Sequence, residues 1–198
     1  CAAMSTLVCF HAHPDDECIQ TGGTMAQAAA DGHRVVLVVA TRGERGEIAP
    51  GVLADGEALW QRRIAETYES ARILGAARVE FLGYVDSGMI GDASNDEPYT
   101  FWSADVEHAA NRLAAILREE SADVLTAYDH HGGYGHPDHI QAHRVTSYAL
   151  LLAAVPSFRP ELGDAWEVSK LYWTALPQSA VQQGIDAFVA AGGQGFFG

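Results

Sequence analysis

Short β-branched runs alternate with longer segments of helical periodicity along this chain, and this alternation constrains the fold more than any other feature. The clearest run is residues 34–40, RVVLVVA, which is too apolar for a strand with one face in water. Strands are predicted at residues 6–10, 34–40, 78–82, 123–128 and 170–175, and helices at residues 22–31, 56–74, 105–119 and 140–155. Strands that alternate with helices of this length form βαβ units, so we predict an α/β fold with a mostly parallel sheet.

The charge of the chain argues against several classes of protein. The 198 residues carry a net charge of −14, and Lys170 is the only lysine. A nucleic-acid binder needs a basic face, and so does a protein that seeks anionic lipid, so we expect neither partner. A lone lysine far along the chain also disfavours Schiff-base and P-loop enzymes.

Hydropathy and cysteine usage indicate where the protein works. The longest apolar runs, residues 35–40 and 149–155, are too short to span a bilayer. Cys1, Cys9 and Cys18 show no spacing typical of a disulfide framework, which favours free thiols in a reducing compartment. We therefore expect a soluble, cytoplasmic protein. The sequence leaves the oligomeric state open, because alanine-rich helix faces could pack against another subunit in a homo-oligomer or against this chain's own sheet.

Polar and glycine-rich segments follow four of the predicted strands at their carboxyl ends. They are residues 11–17, 41–47, 83–88 and 129–139. In parallel sheets the ligand crevice lies beyond the carboxyl ends of the strands, so we expect the four segments to form one cleft. The chain has no Gly-x-Ser-x-Gly, Gly-x-Gly-x-x-Gly or Walker sequence. Their absence argues against a serine hydrolase, a dehydrogenase and a kinase.

Two pairs with a spacing of three, His13 with Asp16 and His136 with His139, predict a metal site in this cleft. Residues three apart share a face of a helical turn, and two histidines with one carboxylate are a known ligand set for catalytic zinc. A single histidine is more often structural, but two facing clusters favour a metal. Of the adjacent Asp15 and Asp16, one can bind the metal while the other serves as general base, although Asp15 could instead cap the following helix.

Three further residues have weaker cases for a role at the metal. Asp138 lies between two histidines and is a candidate to orient one of them. Cys18 and His143 are less favoured candidates for additional ligands, because Cys18 should point away and His143 suits a supporting or surface position.

The motifs His11-Ala-His13-Pro-Asp15-Asp16-Glu17 and His136-Pro-Asp138-His139 resemble those of the LmbE-like (PIG-L) zinc deacetylases. Residues 41–47, Arg63, residues 85–88 and residues 132–139 are similar to the mycothiol-pathway branch of that family. This branch includes N-acetylglucosaminyl-inositol deacetylases and mycothiol S-conjugate amidases. The resemblance implies a Rossmann-like three-layer sandwich with its active site at the carboxyl ends of the strands. It implies one domain over residues 1–198, clearest over residues 1–160, with residues 161–198 as a divergent C-terminal part.

The resemblance also implies a role for individual residues. It implies zinc, or Fe²⁺ in cells, held by His13, Asp16 and His139. Asp15 matches the general base, His136 the group that stabilises the oxyanion or protonates the amine, Tyr134 a residue that polarises the carbonyl, and Asp138 an acid that orients a histidine. Glu47, Arg63 and Asp86 match positions that contact the sugar or its aglycone.

We therefore expect a metal-dependent N-deacetylase that acts on a small N-acyl glucosaminide of the N-acetylglucosaminyl-inositol type. The alternatives are an amidase for mycothiol S-conjugates, a deacetylase for an antibiotic-pathway glucosaminide, and a zinc-binding protein without catalysis. A protein that only binds zinc would not require Asp15 and His136, so these residues argue against that alternative.

Overall fold

Five parallel strands form a single sheet in the computed structural model, which describes residues 4–175 and 177–193. The strands are β1 Thr6–His11, β2 Arg34–Thr41, β3 Arg78–Tyr84, β4 Val124–Tyr128 and β5 Lys170–Thr174. Their order is β3-β2-β1-β4-β5, so β1 lies in the centre with β2 and β4 on either side. The register pairs Thr6 with Arg34 and Leu7 with Val124.

Helices cover both faces of this sheet. They are α1 Gly22–Ala30, α2 Leu59–Leu74, α3 Val106–Glu119, α4 Pro137–Ala154 and α5 Gln178–Ala190. Shorter helical turns occur at Glu17–Thr21, Ala93–Asp96, Gly132–Gly135 and Pro160–Leu162.

Alternate residues of the central strands bury their side chains in two separate cores. On one face Val36 and Val38 pack with α3 and α4, through residues such as Leu113 and Val145. On the other face Leu37 packs with α1 and α2 in a second buried cluster. Side chains point to opposite faces along a strand, which is why a continuous β-branched run requires cover on both sides. The predicted α/β three-layer architecture is confirmed.

The sequence-based boundaries agree with the structure except at three helices. α2 begins at Leu59 rather than at residue 56, and α5 was not predicted. α4 begins at Pro137 rather than at residue 140. A proline suits the first helical position because its missing N–H has no helical acceptor there, and the His136 ring accepts the N–H of Asp138. His139 therefore lies in the first turn of a helix and not in a loop.

Cys9 is buried and Cys18 exposed, and both are free thiols, whereas Cys1 lies outside the described residues. Over residues 4–175 and 177–193, no helix is long and apolar enough to cross a membrane. The edge of the sheet at the amino ends of β2 and β3 carries an ionic cluster, in which the buried carboxylate of Glu120 binds Arg34 and Arg78.

Candidate metal centre and active site

Four segments that the sequence placed at strand ends meet at the carboxyl edge of the sheet. The turn after β1 supplies His13 and Asp16, and the start of α4 supplies His139 after His136. Nitrogen atoms of His13, His136 and His139 lie within 4.8 Å of one another, and so do ligand atoms of His13, Asp86 and Asp138. All of these side chains are buried, so their polar atoms need partners other than bulk water.

The partners of the His13 and His139 rings identify the nitrogen that each turns toward Asp16. Nδ1 of His139 lies 3.1 Å from the carbonyl oxygen of Gly132, so this nitrogen carries the proton. Its Nε2 is buried without a hydrogen-bond partner and lies 3.3 Å from Oδ2 of Asp16. In His13, Nε2 donates to Asp138 over 3.1 Å, which leaves Nδ1 free 3.4 Å from the same Asp16 oxygen. Nδ1 of His13 and Nε2 of His139 thus both lie within 3.4 Å of one oxygen of Asp16.

This convergence fits a divalent metal. Two imidazoles and a carboxylate form a known three-residue set for catalytic zinc, and each ligating histidine normally donates its other N–H to a carboxylate or carbonyl, as both do here. The unpartnered Nε2 of His139 is the atom that a metal would satisfy.

Electrostatics at the site also favour a positive charge. Burial lowers the pKa of His13, but the carboxylates of Asp138, Asp16 and Asp86 outweigh burial and raise it to about 10. Burial raises the pKa of Asp16, but the two neighbouring histidines hold it well below its ordinary range. A centre that stabilises a proton between carboxylates also suits a cation in the proton's place.

Asp138 connects His13 to the segment after β3. Its fully buried carboxylate accepts hydrogen bonds from the His13 ring, from the backbone N–H of Ser87 over 2.9 Å and from the Ser87 hydroxyl. The carboxylate is thereby fixed on two sides, and it fixes the tautomer of His13. The sequence analysis did not identify Ser87, although it lies in one of the four predicted cleft segments.

Tyr128 is a second residue that the sequence analysis missed. Its hydroxyl donates to Oδ2 of Asp16 over 2.5 Å and accepts the N–H of Ala12 over 2.9 Å. Its ring stacks on His139 with a centroid distance of 4.2 Å. Burial next to Asp16 raises the pKa of Tyr128, so the hydroxyl stays protonated and remains a donor. The only signal in the sequence is its place at the end of a predicted strand.

His136 differs from the other two histidines in its tautomer. Its Nδ1 accepts the backbone N–H of Asp138, so the proton resides on Nε2. If Nε2 bound a metal, Nδ1 would need a proton that points at this N–H. Burial lowers the pKa of His136 to about 4, and the neighbouring His13 and His139 contribute to the shift. His136 is therefore a neutral hydrogen-bond donor, although its nitrogen lies within ligand distance of His13 and His139.

Asp15 presents an exposed carboxylate next to this centre. Its backbone has a φ of +88°, an uncommon value for a residue other than glycine. Burial raises its pKa, and the guanidinium of Arg63, 2.5 Å from Oδ2, opposes that shift. The alternative of a helix cap does not hold, because the backbone carbonyl of Asp15, and not its side chain, accepts from Cys18 and Ile19.

The three predicted substrate contacts have different surroundings. Arg63 lies beneath the loop after β2, where it donates to the carbonyl of Pro14 over 2.6 Å and contacts Asp15. Asp86 is buried, with Oδ1 3.7 Å from Nε2 of His13. Glu47 is exposed on the loop after β2. The structure thus brings Arg63 and Asp86 against the metal-site residues and leaves Glu47 in solvent.

Tyr134, Cys18 and His143 lie around the centre. Tyr134 is 65% exposed, and its ring centroid lies 5.1 Å from that of His139 and 6.1 Å from that of His136. Partial burial beside the carboxylates of the site raises the pKa of Tyr134 to about 12. The Cys18 thiol lies 3.5 Å from Glu17. Nδ1 of His143 lies 3.0 Å from the carbonyl of Tyr128. Neither belongs to a group of potential ligands among the described residues.

Proteins whose solved structures share this fold are named for more than one reaction. N,N'-diacetylchitobiose deacetylase from Pyrococcus horikoshii aligns with a TM-score of 0.69 at 25% identity, over 86% of this chain and 60% of that one. GalB, the 4-carboxy-2-hydroxymuconate hydratase of Pseudomonas putida KT2440, aligns with a TM-score of 0.66 at 25% identity, over 86% of this chain and 65% of that one. The fold alone therefore does not decide the chemistry.

Sequence similarity is more specific. The 1D-myo-inositol 2-acetamido-2-deoxy-alpha-D-glucopyranoside deacetylase 1 of Catenulispora acidiphila is 49% identical over 199 residues, which cover 96% of this chain and 62% of that protein. The chain spans 58% to 66% of the length of three such curated relatives. The family model described as PIG-L, GlcNAc-PI de-N-acetylase, matches residues 8–150. Because that match covers more than half of the chain and includes both histidine–aspartate motifs, the chain belongs to the PIG-L family, the LmbE-like deacetylases.

Proposed function

We propose that this protein is a zinc-dependent hydrolase that removes the N-acetyl group from an N-acetylglucosaminide of the glucosaminyl-inositol type. The observation that carries the proposal is the convergence of Nδ1 of His13, Oδ2 of Asp16 and the unpartnered Nε2 of His139 beside the exposed carboxylate of Asp15. The name of the relative from Catenulispora acidiphila supports the choice of substrate class.

His13, Asp16 and His139 would hold the metal. A zinc ion there supplies Lewis acidity, which lowers the pKa of water and polarises a carbonyl, and Fe²⁺ suits the same ligands. Asp138 and the carbonyl of Gly132 keep the two histidines in the tautomers that ligation requires.

Asp15 acts as the general base in this proposal. Its carboxylate accepts the proton of the attacking water, and its position on an exposed turn allows it to reach that water. Partial burial raises the pKa of this carboxyl above its ordinary value and Arg63 opposes the shift, and a base whose pKa lies nearer the working pH is more effective.

His136 and Tyr134 stabilise the charge that develops on the carbonyl oxygen. The neutral ring of His136 carries its proton on Nε2, from which it donates a hydrogen bond to the oxyanion, and the proton that Asp15 takes from the water is the one passed to the departing amine. Tyr134 keeps its phenolic proton because its pKa is raised to about 12. Preorganised donors of this kind often contribute the largest part of a rate enhancement.

The segments after β2 and β3 would recognise the sugar and its aglycone. Glu47 is exposed, so its carboxylate can accept hydrogen bonds from sugar hydroxyls. Asp86 and Arg63 have polar partners within the protein, so they can bind the substrate only through the edges of their groups that remain accessible.

The experiment joins metal content to turnover. The purified protein is loaded with zinc, the bound metal is quantified, and amine release from N-acetylglucosaminyl-inositol is followed with and without a chelator. We expect close to one equivalent of zinc and chelator-sensitive release. His139→Gln should lose the metal, whereas His143→Gln, a matched change one turn later on α4, should retain it.

Other results would redirect or reject the proposal. Release only from a cysteinyl S-conjugate with a bulkier acyl group would identify an amidase, and release only from an antibiotic glucosaminide would move the substrate to that class. Stoichiometric metal without hydrolysis of any N-acyl glucosaminide would leave a zinc-binding protein. Failure to bind zinc at all would overturn the central claim.

A further inference from the structure

Glu17 is buried next to Asp15, and the proposed chemistry does not use it. Its side chain is in the helical turn Glu17–Thr21 and is almost fully shielded, with 1% of the residue exposed. Burial of a carboxylate is costly unless the protein supplies hydrogen bonds. An acid in the first turn of a helix ordinarily stays in solvent, so the burial of this one requires an explanation.

The contacts of Glu17 hold the backbone of Asp15. Oε2 accepts the backbone N–H of Asp15 over 2.9 Å, and Oε1 accepts the hydroxyl of Ser70 over 2.5 Å. Ser70 lies on α2, where its hydroxyl oxygen is also 3.1 Å from the carbonyl oxygen of Thr67, so Glu17 is anchored to a packed helix. The carboxylate thus links the turn after β1 to α2, which packs on one face of the sheet.

The backbone that Glu17 holds is strained. Asp15 has a φ of +88°, and a left-handed conformation persists in a residue other than glycine only where the surrounding structure imposes it. The N–H of Asp15 is bound by Glu17, the preceding carbonyl of Pro14 by Arg63, and the carbonyl of Asp15 by the N–H groups of Cys18 and Ile19. Among the groups that hold this turn, Glu17 is the side chain that binds the backbone N–H of Asp15.

We infer that Glu17, anchored by Ser70, is a positioning residue that keeps Asp15 in its left-handed conformation and so aims the base at the reacting water. The inference rests on the proposed function for its catalytic part and on the geometry alone for its conformational part. Glu17 acts through hydrogen-bond acceptance and not through its charge.

Two substitutions at residue 17 distinguish the effect of the hydrogen bond that Glu17 accepts from the effect of its negative charge. In Glu17→Gln, the amide oxygen can still accept the N–H of Asp15 while the NH₂ group donates to Ser70, so both contacts survive. In Glu17→Met, the shape is kept and the acceptor is lost. We expect Glu17→Met to lower kcat about 10- to 100-fold, the range of one hydrogen bond to a charged group, with KM and bound zinc unchanged. Glu17→Gln should restore kcat to within about threefold of the parent value.

A matched control lies at the opposite edge of the sheet. Glu120 is a buried carboxylate bound to Arg34 and Arg78, remote in the fold from the carboxyl-edge site. Glu120→Met should lower the melting temperature and leave kcat per folded molecule at the parent value. If Glu17→Met does not fold, Ser70→Ala tests the same anchor with a smaller loss of kcat, and Ser147→Ala, a helix serine bound to the His143 carbonyl, is its control.

Crystal structures of the parent and Glu17→Met proteins test the conformational part without any assay of activity. We expect φ of Asp15 to stay positive in the parent and in Glu17→Gln, and to relax to a negative value in Glu17→Met. An unchanged φ in Glu17→Met overturns the inference, even if the protein hydrolyses no glucosaminide. Equal losses of kcat in both variants would assign the effect to charge, and a parallel loss of zinc would assign it to the metal site, so either result also rejects it.

Discussion

The hydroxyl of Tyr128 can be removed without removing the ring that stacks on His139, so Tyr128→Phe tests how the protein holds Asp16. In the structure this hydroxyl donates to Oδ2 of Asp16 and accepts the N–H of Ala12. Phenylalanine preserves the ring contact at 4.2 Å and deletes both hydrogen bonds.

The magnitude follows from these two contacts. A hydrogen bond to a charged acceptor contributes about 1.5–3 kcal/mol, and a buried N–H left without a partner costs about 1–3 kcal/mol. One hydroxyl serves both, so the losses are not additive, and we expect the free energy of unfolding to fall by about 3 kcal/mol. Removal of a group that orients a metal ligand typically weakens metal affinity about 10- to 100-fold. The dissociation constant of Tyr128→Phe for zinc should therefore rise by about that factor.

Urea unfolding of the metal-free protein measures the stability, and competition with a chromophoric chelator measures the zinc affinity. Tyr84→Phe is the matched control, since the Tyr84 hydroxyl forms a hydrogen bond with the exposed residue His108 over 3.1 Å. It should cost about 1 kcal/mol or less and leave zinc affinity unchanged. If Tyr128→Phe stayed within about 0.5 kcal/mol of the parent with the same zinc affinity, the claim that this hydroxyl fixes Asp16 would be refuted.

Three further predictions address the base, the amino edge of the sheet and the loop after β2. Asp15→Asn should lower kcat about 10²- to 10⁴-fold with zinc retained, and near-parental turnover would contradict its role as base. Glu120→Gln should lower the free energy of unfolding by about 2 kcal/mol at pH 7, between the values for exposed and buried pairs. Because hydrogen bonds from Arg34 outweigh burial and lower the folded-state pKa of Glu120, this stability is present above the ordinary pKa of 4.5 and is lost as pH falls through the folded value, so unfolding curves of parent and variant should converge there. Gly46→Ala would place a methyl group against Arg63, so hydrolysis should weaken while the metal content stays constant, and unchanged kinetics would show that Arg63 can move freely.

The local pattern of the sequence predicted the sheet, and it predicted which segments meet at its carboxyl edge, because both depend on short-range information. Residues 35–40 are apolar at every position, as in a strand covered on both faces, and β2 is buried over nearly its whole length. His13 and Asp16 follow β1 directly and His139 lies on the helix that follows β4, and parallel strands bring their carboxyl ends to one edge regardless of how the sheet is ordered.

Contacts between residues far apart in the chain could not be predicted in this way. Nothing local to Tyr128 shows that its hydroxyl meets Asp16, because the contact depends on β1 and β4 being neighbours. The contacts of Ser87 with Asp138 and of Ser70 with Glu17 likewise join elements 51 and 53 residues apart. α5 has helical spacing but few polar boundary signals, and its residues are mostly exposed, so no buried stripe distinguishes it.

The strand order separates the candidate metal site from the most exposed connection at the carboxyl edge of the sheet. β1 and β4, which are neighbours in the sheet, lead into the proposed metal ligands, whereas the long connection after β2 is largely exposed over residues 47–57. Surface connections of this kind accept insertions and substitutions with little loss of stability. A library randomised over residues 47–57 should therefore yield altered ligand preference at an intact metal centre, which makes this connection the natural starting point for directed evolution.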